Sequence, residues 1–238
     1  MDVQILQLLE GAEDATGVTV IIDVFRAFST ACYAYDKGAA KVIPVGEIEK
    51  AYFLKQNNPE YILMGERNEK KPTGFDFGNS PAHLSEANLE GRTIVHTTSS
   101  GTQGIAAALQ ADEIITGSFV NAAAIIQYIR ERNPETVSLV CMGYACEYAT
   151  DEDTLCAEYL RNELHGLDND YDRMKRIIRK GSGERFFDPA KQEWSPSRDF
   201  DLCLQKNIFD FVLKVENDGV NNYLQKVNVI ENANVITG

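Results

Sequence analysis

The sequence predicts an α/β protein with three layers, α/β/α, around a largely parallel or mixed sheet. Short β-branched and apolar runs alternate with helical stretches of roughly ten residues through the first half, the pattern of βαβ units. The run VTVIIDV, residues 18–24, is apolar but for Thr19 up to its aspartate, as expected of a strand buried on both faces. The chain has 238 residues with 44% hydrophobic and 25% charged content, enough for a substantial core in one large domain.

The elements follow in order. After VTVIIDV, RAFSTACYAYDKGA reads as a helix ending near Gly38, and KVIPV as the next strand. EIEKAYFLKQ is helical and YILM a strand. RTIVHTT is a strand, TQGIAAALQ a helix and EIITG a strand; NAAAIIQYIRER is a helix and TVSLVCM a strand. Right-handed crossovers are the default between such parallel strands. In the second half, DEDTLCAEYLRNELHG is a helix. YDRMKRIIRKG is another, with basic residues at the end where the helix dipole favours them. The pattern weakens over residues 181–198. DFDLCLQKN is helical, and FDFVLKV and KVNVIENANVI read as strands with NDG as a turn between them. The chain is expected to form a single domain over residues 1–238. A weak boundary near residues 165–170 would set off a second α/β subdomain at the C-terminal end.

Composition excludes several classes of function. A net charge of −13 does not fit a basic nucleic-acid surface. No apolar run approaches the length of a membrane span. The start, MDVQILQLLEGAED, lacks the charge and apolar length of a secretion signal, so a cytoplasmic protein is expected. The five cysteines are odd in number and form no CxxC pair, which predicts buried thiols rather than disulfides or a zinc site. Homo-oligomerisation is compatible with this composition.

One stretch breaks the alternation. Residues 65–81, GERNEKKPTGFDFGNSP, show no helical or strand period, and a loop of this length in a compact domain is functional or disordered. It carries Glu66 and Asp76, which could bind a cation, and Arg67 beside the first. Ser80 and Pro81 read as N-cap and first residue of a following helix, leaving Asn79 free to contact a ligand.

Ligands of open α/β sheets bind beyond the carboxyl ends of the strands. The strand ends here carry Asp23 and Arg26; Glu66 and Arg67; Ser99, Ser100 and Gly101; Ser118 and Asn121; and Gly143 followed by Asp151, Glu152 and Asp153. Acids, arginines, hydroxyls and glycines together are the inventory of a metal-assisted phosphate site. Each has a plainer alternative. Asp23 can cap the next helix, and Arg26 can be a solvated surface residue. TTSSGTQG can be an ordinary turn and N-cap as well as an anion-binding helix start. Thr150 with Asp153 three residues on resembles a capping box. His96 lies inside an apolar strand and reads as a core residue; His83 and His165 are assigned no role.

Taken together, DVFRAFST, GER followed by GFDFGNSP, TTSSGT, GSFVNA, the pair Glu152–Asp153 and DLCLQKNIFDFV resemble the 2-phosphosulfolactate phosphatase family, the magnesium-dependent acid phosphatases of coenzyme M biosynthesis. GFDFGNSP is the most specific segment. The resemblance implies a three-layer α/β fold and hydrolysis of (2R)-2-phospho-3-sulfolactate to 3-sulfolactate and phosphate with Mg²⁺. On that basis Asp23, Glu66, Glu152 and Asp153 are expected to hold the metal, and Arg26 and Arg67 to clamp anionic groups. Asn79, Ser99, Ser100, Gly101, Ser118 and Asn121 would contact the substrate, with Asp23 the nucleophile on a covalent route. The chain departs from the family pattern at Ser100, where Asn is common before Gly-Thr, and in YACEYATDED, which matches only at its Glu-Asp. The alternatives are a phosphatase of another small phosphorylated hydroxy acid, and a non-catalytic sensor of an anionic metabolite.

Overall fold

A computed structural model describes residues 1–229. The chain opens with β1 (Asp2–Gln7) and α1 (Leu8–Glu13), and continues with β2 (Gly17–Ile22), α2 (Ala27–Asp36), β3 (Lys41–Pro44), α3 (Ile48–Asn57) and β4 (Ile62–Gly65). After the long loop come β5 (Thr93–Thr97), α4 (Gly101–Ala107), β6 (Ala111–Gly117), α5 (Ala122–Arg132) and β7 (Thr136–Cys141). The last part holds α6 (Asp151–His165), α7 (Tyr171–Lys180), α8 (Ser197–Cys203), β8 (Phe211–Asn217) and β9 (Asn222–Asn228).

Among the described residues these strands form a nine-stranded mixed sheet in the order β1-β7-β2-β6-β8-β9-β3-β5-β4. β1, β7, β2 and β6 run parallel, as do β3, β5 and β4. The β8–β9 hairpin lies between the two blocks, antiparallel to both β6 and β3. The expected boundary near residues 165–170 falls between α6 and α7. Beyond it the chain contributes this hairpin to the middle of the common sheet.

Strand alternation produces the three layers. Val18, Val20 and Ile22 of β2 pack with Ile125 and Ile129 of α5, Leu160 of α6, Ile178 of α7 and Phe200 of α8. Ile21, between them, faces the opposite side with Ala12 of α1, Phe28 of α2 and Ile105 of α4. Ile43, Leu63 and Val95 form a smaller core with Leu54 of α3. Both faces of β2 are thus covered, which is why its sequence is almost continuously apolar.

The sequence pattern misses β1 and α1. Strand runs directly into helix at Leu8, which holds φ 62° without the Gly or Asn that signals a break. The helix expected from Pro81 is also corrected. Residues 81–86 form successive turns, with Leu84 N–H bonded to Pro81 O and Ala87 N–H to Leu84 O. Ser80 Oγ accepts from His83 N–H, as a cap would, but Asp199 of α8 takes the Ala82 N–H and the Ser80 hydroxyl and fixes the segment from outside. The last expected strand ends at Asn228, and its residues 230–236 lie outside the described residues. All five cysteines are unpaired thiols, and no described helix is long and apolar enough to cross a membrane.

Candidate active site

The segments that leave β2, β4, β5 and β7 meet in one crevice. Of the predicted site residues, Asp23, Arg26, Glu66, Asn79, Ser99, Ser100 and Glu152 line it. The crevice is open to solvent at its mouth, and its empty space, open solvent included, is about 490 Å³.

Asp23 directly follows β2. Its Oδ1 accepts from Ala27 N–H at 3.0 Å, capping α2 as expected, and its Oδ2 accepts from Gly101 N–H at 2.8 Å. The second bond joins β2 to the start of α4, although β2 and β5 are not neighbours in the sheet. Position 101 requires glycine because a Cβ would lie 2.9 Å from Asp23 Oδ2 and 3.0 Å from the Phe28 ring. Burial pushes the Asp23 carboxyl up to about 6, aided by the charges of Glu66 and Glu152 and opposed by the two amide bonds.

Glu66 is held similarly at the end of β4. Its Oε1 accepts from Ser99 N–H at 2.7 Å, and its Oε2 from Glu69 N–H at 2.9 Å and the Ser99 hydroxyl at 3.2 Å. Gly65 lets the chain turn here at φ 151°, where a Cβ would strike the Thr97 carbonyl oxygen. The amides of Ser99 and Gly101, expected to cradle an external anion, are therefore donated to the protein's own carboxylates.

The Thr150–Asp153 capping relation does not form: Thr150 sits at the N-cap of α6 but its hydroxyl makes no cap bond. Asp153 instead accepts from Val24 N–H at 2.8 Å and Gly143 N–H at 2.9 Å, tying the ends of β2 and β7 together behind the crevice wall. Burial raises its carboxyl well above the usual range, and Glu152 and Asp23 add to the effect. Glu152 does face the crevice. It is buried, one of its oxygens makes no close hydrogen bond, and burial raises its carboxyl against the pull of Arg185 and of the neighbouring Ser182 and Thr150 hydroxyls.

The two predicted arginines part ways. Arg26 lines the crevice, buried, with Nη1 donating to Asp199 Oδ2 and the Trp194 carbonyl, both at 2.7 Å. Arg67 is not part of the wall. Its guanidinium donates to the Glu66 and Gly46 carbonyls and to Thr97 Oγ1, each at 2.7 Å, and so braces the turn that carries Glu66. Asn79 Oδ1 lies 3.4 Å from His96 Nε2. His96 is a fully buried core residue, as expected, and burial lowers its ring to about 3. Ser118 and Asn121 also serve the interior. Ser118 Oγ pairs with Ser29 Oγ at 2.7 Å, and Asn121 Nδ2 donates to the Phe211 carbonyl at 3.3 Å. Asp76, in the loop, accepts from Leu63 N–H and pins the loop along β4.

Sequence reasoning missed Asn68, Glu69, Tyr144 and Arg185 on the crevice wall, and Asp199 behind it. Arg185 comes from a segment without periodicity, and nothing near it in sequence points to a loop more than a hundred residues earlier.

The acidic set fits a hard cation. Its donors are all oxygens, as Mg²⁺ prefers, and Glu152 offers a buried oxygen with no other partner. Among the described residues no three or more His, Cys, Asp or Glu side chains converge as a ready-made metal cage.

A covered α/β sheet with a polar crevice of carboxylates and arginines beyond its strand ends is the architecture of an enzyme handling a small anionic ligand. Residues 4–218 match the family described as 2-phosphosulpholactate phosphatase, and the chain belongs to that family. A Bacillus subtilis protein named probable 2-phosphosulfolactate phosphatase is 31% identical over 206 residues, covering 85% of this chain and 88% of that protein. One of the same name from Caldanaerobacter subterraneus subsp. tengcongensis is 33% identical over 212 residues, covering 83% and 87%. A third, from Thermotoga petrophila, is 40% identical over 149 residues, covering 61% and 63%. The family is one of phosphatases, enzymes that hydrolyse phosphate monoesters.

Proposed function

We propose that this chain is a Mg²⁺-dependent phosphatase that hydrolyses 2-phosphosulfolactate to 3-sulfolactate and phosphate. The observation that carries this reading is the unpartnered, buried Glu152 oxygen in the same crevice as Asp23, Glu66, Arg26 and Arg185. A phosphate would be repelled by those carboxylates unless a cation stood between them. Glu152 would hold Mg²⁺ together with water and substrate oxygens, with Asp23 and Glu66 beside it and Asp153 adding charge from behind; bound there, the metal would polarise phosphoryl oxygens.

The chain's own groups do the positioning. Two amide bonds fix the Asp23 carboxylate, and its pKa of about 6 leaves it able to exchange a proton near neutrality. Asp199 and the Trp194 carbonyl commit Nη1 of Arg26, and its Nη2 reaches only the Glu69 carbonyl at 3.5 Å, so its charge adds to the wall while Nη1 stays in place. Asn79, oriented by His96, and the Ser100 hydroxyl supply neutral donors on the crevice wall. On this reading the reaction belongs to coenzyme M biosynthesis and is cytoplasmic.

A second substrate in the same class is favoured by one observation. Ser100, Tyr144 and Ala145 line the crevice, and all lie where the sequence departs from the family pattern. Phosphate release from 2-phosphosulfolactate and a panel of phosphorylated hydroxy acids, in Mg²⁺ and in EDTA, tests the proposal. The sulfonated substrate should be turned over fastest, and EDTA should abolish release. A faster panel member would reassign the substrate. Binding without phosphate release from any of them would make the protein a sensor.

A further inference from the structure

Two cations of one C-terminal segment converge on a loop carboxylate at the crevice. Glu69 Oε1 lies 3.5 Å from Arg185 Nη1, and Glu69 Oε2 lies 3.2 Å from Lys191 Nζ. Arg185 is held in place by the Tyr144 and Phe186 rings, 5.4 and 5.2 Å from their centroids, and by a bond from Nη2 to the Phe25 carbonyl. The Glu69 and Arg185 side chains are 12% and 16% exposed, so this pair is at the edge of solvent, where a ligand can reach it.

The backbone under Glu69 is unusual for that residue. Arg67 and Lys70 exchange two backbone hydrogen bonds across a two-residue turn in which Asn68 has φ 52° and Glu69 φ 68°. Turns of this kind favour Asn followed by Gly. Asn68 conforms; Glu69 places a Cβ in the left-handed region, where glycine would sit without a clash. A costly residue in that position, with its carboxylate on two cations, points to a use for the carboxylate.

We propose that Arg185 and Lys191 form the subsite for the second acidic group of the substrate, the sulfonate or carboxylate that is not transferred, and that Glu69 is a built-in competitor occupying this subsite until the ligand arrives. This rests on the phosphatase reading and deepens it. Such a substrate carries on the order of four negative charges at neutral pH, and the chain itself has a net charge of −13. Arg26 is committed to buried Asp199, and Arg67 to carbonyls. Arg185 is paired instead with a carboxylate on a loop turn, which can give way. Its planar fork suits a sulfonate or carboxylate edge.

The test is calorimetric titration with 3-sulfolactate, which carries the second acidic groups and no phosphate. Arg185→Gln should weaken binding about tenfold or more, and Glu69→Gln should tighten it severalfold. Glu69→Gly should tighten it equally while melting no lower than the parent. Turnover should follow: KM for 2-phosphosulfolactate rises in Arg185→Gln and falls in Glu69→Gln, in each case by a larger factor than KM for phenyl phosphate, which has no second acid. The subsite is overturned if the parent does not bind 3-sulfolactate, if Arg185→Gln binds it as well as the parent, or if neither Glu69 variant binds it more tightly. A parent that releases no phosphate from any monoester, yet shows the opposite shifts in 3-sulfolactate affinity, would sink the phosphatase reading and leave the subsite standing.

Discussion

Glu152→Gln should stabilise the protein in EDTA and remove most of its response to Mg²⁺. The Glu152 side chain is buried, and one of its oxygens has no hydrogen-bond partner. Its charge also raises the carboxyls of Asp23 and Asp153. Glutamine keeps the shape and removes the charge. An unsatisfied buried polar group costs about 1–3 kcal/mol, and more when charged. At this chain length each kcal/mol moves the melting temperature by about 2–4 °C, so removing the charge, the part of this cost that glutamine does not share, is expected to give a rise of a few degrees without metal. Ligation acts in the opposite sense. Mg²⁺ at about 100 times its Kd would stabilise the parent by about 2.7 kcal/mol, and the variant should forfeit most of that. Scanning calorimetry of both proteins in EDTA and across a Mg²⁺ series reads both effects. The reasoning fails if the variant melts below the parent in EDTA, or if the two proteins gain equally from Mg²⁺.

Three further outcomes follow from the same geometry. Asp23 has a folded-state pKa of about 6, above its ordinary 3.8, so the folded protein binds the extra proton; stability in EDTA should fall as pH rises from 5 to 7, by roughly 1 kcal/mol from this group. Asp23→Asn should flatten that slope in a series of melts, and an unchanged slope would assign it elsewhere. Arg67→Lys, which keeps one charge but cannot span three acceptors, should lower the melting temperature by several degrees and turnover about tenfold, through a displaced Glu66; normal turnover would show that Glu66 does not depend on this brace. Asp153→Asn should lower stability in EDTA by about 1–3 kcal/mol, because both carboxyl oxygens accept a backbone N–H and an amide nitrogen can replace neither as acceptor. Its apparent Mg²⁺ affinity should fall severalfold, and a titration overlaying the parent's would remove Asp153 from the cation's field.

The parts of the fold that were legible are those set by local periodicity. β2, β7 and the helices between them announce themselves because both faces of these strands are covered and their runs are rich in β-branched and other apolar residues, with only Thr19, Thr136 and Ser138 polar. The position of β8 and β9 was not legible. Their strand character shows in sequence, but their place between β6 and β3 depends on which sheet edges remain unpaired after the rest has formed. The turn segment after Pro81 failed for a related reason. Ser80 and Pro81 are good local helix-start residues, but a carboxylate from α8 reaches the Ser80 hydroxyl and Ala82 N–H first.

The site divides along the same line, and Asp153 shows why. Its neighbours Thr150 and Asp151 at a helix start describe a local cap, and strand-end reasoning describes a metal ligand; the side chain is instead held by two distant backbone amides. It accepts amides from Val24 and Gly143, residues 129 and 10 positions away, and so holds two strand ends in register beside the crevice-facing Glu152. Asp23 and Glu66 follow the same plan, each bridging to the segment after β5 through backbone N–H groups. Sequence locates these acids because each must leave a strand end. It does not show that their acceptors are filled by the very amides expected to bind the substrate. Once those amides are spent, recognition of an anion passes to a cation and to arginines supplied from elsewhere. Arg185, in a segment with no periodic signal, is therefore the residue that local reasoning could not reach and that the acid cluster most requires.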